Sequence, residues 1–83
     1  MECLARVWLA SGEPELAVNA ASEAVALDSC RESGYQLLMR SHAAAGNRAE
    51  SMRAYHRLRA LLAEELGADP SPETQALYLE VLG

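Results

Sequence analysis

The 83-residue sequence contains no lysine, no phenylalanine and no isoleucine. Without lysine there is no Walker-type phosphate loop, and no G-x-G-x-x-G run is present either. Its seven basic residues are all Arg and stand against twelve Asp and Glu, for a net charge of −5. Such a balance disfavours a chain that holds nucleic acid or an anionic membrane by itself. β-branched residues are few (Val7, Val18, Val25, Thr74 and Val81) and only four residues are aromatic, which argues against a sheet and for helices. No apolar run reaches the roughly 18 residues of a membrane span. The first residues, Met-Glu-Cys-Leu-Ala-Arg, lack the basic and apolar regions of a secretion signal, so a cytoplasmic location is expected. Cys3 and Cys30 are too isolated to match a metal-binding spacing and read as small apolar residues. A G-x-S-x-G nucleophile elbow is missing, and no enzyme activity and no cofactor are expected.

What is present is helical periodicity with clear punctuation. Met52, Tyr55, Leu58, Leu62 and Leu66 recur at steps of three and four, one stripe of a helix over 48–66. Asn47 with Glu50 has the spacing of a capping box, Gly67 suits a left-handed C-terminal cap, and Pro70 prevents the helix from resuming. Ser71 and Pro72 then open a last helix to about Leu82, with Ala76, Leu77, Leu79 and Val81 or Leu82 on its inner side. Upstream, residues 2–11 form a helix with Leu4, Trp8 and either Val7 or Ser11 on one side and Ala5 and Leu9 beside them, closed by Gly12. A second helix runs from Pro14 to about Asp28, with an Ala line at 17, 20, 21 and 24. Ser29 and Glu32 have capping-box spacing at the start of a third helix to about Ala45, with Tyr35, Leu38, Met39 and His42 inward and Gly34 where a neighbour could cross closely.

Gly12 and Gly46 are 34 residues apart and both fall between two helices. At that offset Leu4 matches Leu38, Ala5 matches Met39, Ala20 matches Ala54 and Ala24 matches Leu58. Thirty-four residues per helix–turn–helix is the tetratricopeptide period, about 34. The expected architecture is all-α and TPR-like. It is a single domain over residues 1–83, with one repeat at about 2–28, a second at about 30–66 and a closing helix at about 72–82, forming a short right-handed superhelix. Ser51 stands where the repeat favours Ala, and Ser29 where it favours Pro.

The segment "YQLLMRSHAAAGNRAESMRAYHRLRALLAEELGADPSPETQALYLEVL" resembles the bacterial transcriptional activator domain of regulators of the Streptomyces antibiotic regulatory protein type. The features that carry the resemblance are "LLMRSHAAAGNRAE", Tyr55 with Arg57 and Arg59, and "LLAEELGADPSPETQALY". It is strongest over residues 35–82, and the chain looks like roughly the C-terminal half of that domain. The resemblance implies a regulatory module that acts through protein contact: dimerisation, or contact with other regulator domains or the transcription machinery. DNA would be read by a winged helix that this chain does not contain.

Six residues are candidates for partner binding. Trp8, Tyr35, Met39 and His42 would line the concave surface formed by the first helix of each pair, and Arg53 and Arg57, one turn apart, would offer a basic face. The bland reading of that face is a solvated helix surface balanced by Glu50, where exposed ion pairs contribute well under about 1 kcal/mol. His42 and His56 read as packing or surface residues rather than metal ligands. A general TPR adaptor that clasps a peptide terminus is the alternative; only Arg6, Asn19 and Arg40 could serve as its clamp. Leu4 and Val7 define an apolar patch expected to drive self-association, possible as a homodimer.

Overall fold

The computed structural model describes residues 2–27 and 31–83. Among them are five helices and no strand: α1 (Glu2–Ala10), α2 (Pro14–Leu27), α3 (Glu32–Ala44), α4 (Arg48–Leu66) and α5 (Pro72–Leu82). The chain is all-α and TPR-like. Ser29, of the expected Ser29–Glu32 capping box, and Cys30 fall outside the described residues; α3 opens at Glu32 with Arg31 at its N-cap. None of the described helices is long and apolar enough to cross a membrane.

The two helix-to-helix turns are copies of one another at the 34-residue offset. In the first, Ser11 N donates to Val7 O, Gly12 N to Leu9 O, Glu13 N to Trp8 O and Ala17 N to Glu13 O. In the second, Ala45 N donates to Ser41 O, Gly46 N to Ala43 O, Asn47 N to His42 O and Ser51 N to Asn47 O. Each of the four bonds advances by 34 residues at both ends. Gly12 and Gly46 sit at φ +77° and +82°, a region where a Cβ costs about 1–2 kcal/mol.

α3 is the central element. It packs against every other helix, whereas no Cα of α2 comes within 8 Å of one of α4. The helices therefore form two layers, α1–α3–α5 and α2–α4, with the core between them. Tyr35, Met39 and Leu58 are fully enclosed, and Leu37, Leu38, Leu62, Tyr55 and Leu77 are buried around them. The Ala line of α2 is buried throughout and lets α3 approach closely: a Cβ on Gly34 would lie 3.4 Å from Val25 Cγ2. Ser51, where a repeat of this kind favours Ala, is fully buried and donates its hydroxyl to Met39 O at 2.9 Å. It ties α4 to α3 through a satisfied polar contact. The radius of gyration, 11.7 Å, is that of a compact chain of this length, about 12 Å.

Several local expectations are corrected. The inward residue of α1 is Ala5, at 0% exposure, while Leu4 is 46% exposed. On α5 the buried residues are Thr74 and Leu77, with Tyr78 and Val81 half-buried; Ala76 is exposed, as are Leu79 and Leu82. Asn47 makes no side-chain cap, and Glu50 pairs with Arg53 instead of closing a box. Ser71 does cap α5, accepting from Thr74 N at 3.4 Å, and Gly67 closes α4 at φ +60° with its N–H on Leu62 O.

The α4–α5 joint is held by two further devices. Glu32 of α3 reaches across the chain: its Oε2 accepts from Ser71 N at 3.0 Å and from Thr74 Oγ1 at 2.7 Å. Gln36 Nε2 donates to the same Thr74 hydroxyl at 2.8 Å. On the other side of the joint Tyr55 and Tyr78 stack with centroids 4.0 Å apart and planes 16° from parallel, and His56 meets both rings edge-on.

Candidate functional site

The repeat makes the open surface of the molecule readable. α3 has α1 and α2 packed on one side and α4 and α5 on the other. At the 34-residue offset α1 occupies the place of α3 and α2 that of α4. Equivalent positions of α1 and α3 differ in burial. Leu37, Leu38 and Ser41 on α3 are buried to 5% exposure or less. Their α1 counterparts, Cys3, Leu4 and Val7, are all exposed, Val7 to 51%. The residues turned to the shared core agree: Ala5 and Met39 are both fully enclosed, and Trp8 and His42 are both half-buried. Trp8 packs against the core rather than standing free.

A second feature follows from the gap between α2 and α4. There α3 forms the floor of a cleft of about 400 Å³, lined by Ser22 of α2, Leu38 and His42 of α3, and Glu50, Arg53, Ala54 and Arg57 of α4. Burial lowers the pKa of His42, and the charge of Glu50 opposes that shift without reversing it. Its Nδ1 is buried and has no hydrogen-bond partner. Arg53 pairs with Glu50 at the rim.

The six residues expected to bind a partner thus separate into three groups. His42, Arg53 and Arg57 come together in the cleft. Trp8 lies apart, on α1. Tyr35 and Met39 are corrected: at 0% exposure they are core residues and present nothing to a partner, because the inward stripe of the central helix is covered on both sides. The exposed face of α1, with Cys3 beside Leu4 and Val7, became fully legible only by comparing burial at equivalent repeat positions. Arg6, Asn19 and Arg40 are exposed on three different helices.

Among the described residues no three His, Cys, Asp or Glu converge as a metal site. The model of the bacterial transcriptional activator domain matches residues 1–82. The chain belongs to that family. The match extends over the N-terminal helices as well as over the 35–82 segment that carries the resemblance most plainly. Two curated relatives are similar to this activator domain: the transcriptional regulatory protein MoaR1 of Mycobacterium bovis (strain BCG / Pasteur 1173P2) and that of Mycobacterium tuberculosis (strain ATCC 25618 / H37Rv). Each is 35% identical over 79 residues, which is 95% of this chain and 25% of the relative. The chain therefore spans about a quarter of the length of these relatives. No solved structure matches it significantly.

Proposed function

We propose that this activator domain is the protein-contact and self-association module of a transcriptional regulator of the Streptomyces antibiotic regulatory protein type, corresponding to the later part of that family's domain, and that it does not itself read DNA. The observation that carries the reading is the exposure of Cys3, Leu4 and Val7 where their repeat equivalents are buried. A surface built to the pattern of a helix–helix interface, but uncovered, is a surface for another helix. The occupant is the same face of a second copy. The net charge of −5 supports the other half of the reading, since a phosphate-tracking surface would have to overcome it.

The association is expected to be weak. Burying the exposed half of a Leu or Val side chain contributes about 1 kcal/mol, so two such residues from each copy supply about 4 kcal/mol. That only matches the low end of what association costs, about 4–15 kcal/mol, so flanking residues of the same face must contribute as well. Light scattering over a concentration series tests it. The average mass should rise from the monomer toward twice that value at the highest concentrations, and a mass that stays monomeric throughout would overturn the self-association reading.

A further inference from the structure

We infer that the cleft between α2 and α4 is the seat for a carboxylate-bearing side chain of an acidic peptide segment on a partner protein. This rests on the protein-contact reading and adds a second, chemically defined surface to it. Three observations point there. Arg57 makes no hydrogen bond or ion pair among the described residues, and Arg53 beside it is held only by Glu50. The Nδ1 of His42 is buried without a partner, although a buried polar atom is normally satisfied. The floor between them is apolar, made by Leu38 and Ala54.

These features fit one kind of ligand. A planar guanidinium takes a carboxylate in two parallel hydrogen bonds. A carboxylate on Arg57 lies in the same cleft as His42 and Ser22. The apolar floor accepts the stem of a glutamate and an aliphatic neighbour. A volume of about 400 Å³ holds one or two side chains, not an extended polymer. Two cations in a chain with twelve acidic residues suit a single carboxylate and not a phosphate backbone with its dense charge. Glu50 is already a carboxylate in this cleft. It pairs with Arg53 and leaves Arg57 to the incoming group, which its charge repels.

The probe is an acetylated, amidated pentapeptide with one glutamate between leucines, followed by amide and imidazole NMR shifts on the whole chain. Shifts are expected at Arg53, Ala54, Arg57 and the His42 ring, and the peptide with glutamine in place of glutamate should produce none. Arg57→Gln should weaken binding about tenfold, the loss of a charge-assisted hydrogen bond. Glu50→Gln should tighten it several-fold. Arg59→Gln removes the same charge outside the cleft and should leave binding unchanged. The inference is overturned if Arg57→Gln and Arg59→Gln act alike, if the shifts fall elsewhere, or if inorganic phosphate produces the same shifts as strongly as the peptide. A chain that self-associates yet shows no Arg57-dependent shifts refutes this inference alone. One that stays monomeric yet binds the peptide refutes only the self-association reading.

Discussion

Gly46 holds φ +82° in the turn between α3 and α4, and no atom outside its own neighbourhood lies within 4 Å of where a Cβ would be. The cost of Gly46→Ala is therefore one of backbone conformation alone. It should destabilise the chain by about 1–2 kcal/mol, read as a lower urea midpoint at unchanged slope. Glu32 makes a second prediction. Burial pushes its carboxyl up, but the bonds from Thr74 and Ser71 outweigh that and bring it below its ordinary 4.5. A carboxyl whose pKa is lower in the folded chain contributes stability that is present above the unfolded pKa and is lost as pH falls through the folded one. Urea midpoints should thus fall as pH drops below about 4.5, and Glu32→Gln should flatten that fall while costing about 1–2 kcal/mol at neutral pH. The sequence spacing assigns Glu32 to a local cap with Ser29. The structure uses it across 39–42 residues of chain, a pairing that no local pattern can reveal.

Among the elements, the boundaries were legible because glycine, proline and capping residues act locally. Gly46, Gly67 and Ser71–Pro72 each do what their backbone preferences dictate. The inner stripe of α3 was legible too, and that of α4 as far as Leu62, since polar residues frame them; Leu66, on the same stripe by its spacing, is 65% exposed at the end of α4. Those of α1 and α5 were not. Both helices are apolar on several sides, so periodicity leaves their rotation open, and packing against α3 chose Ala5 over Leu4 and Tyr78 over Leu79. The cleft was legible only in its parts: His42, Arg53 and Arg57 were marked singly, but their meeting depends on α2 and α4 standing apart, a tertiary fact. The α2–α3 crossing supplies a prediction at this scale. A Cβ on Gly34 reaches Val25 Cγ2 at an ordinary contact distance of 3.4 Å, so Gly34→Ala gains helix propensity without a clash. It should stabilise the chain by about 0.5–1 kcal/mol in thermal or urea unfolding. Gly34→Leu should instead force α2 and α3 apart and destabilise it.

At the scale of the whole molecule, Leu4 and Val7 give α1 an exposed apolar face. Pairing of two such faces brings together two chains of charge −5, so added salt should strengthen association by screening their repulsion. The most direct test is the solution mass of the wild type beside Val7→Glu, at the same high concentration and with helicity checked for both. Val7 is 51% exposed, so the substitution leaves the monomer fold intact. The account predicts that the average mass of the wild type rises above that of the monomer and that Val7→Glu stays monomeric. A wild type that remains monomeric, or a Val7→Glu variant that associates as strongly as the wild type, would contradict it.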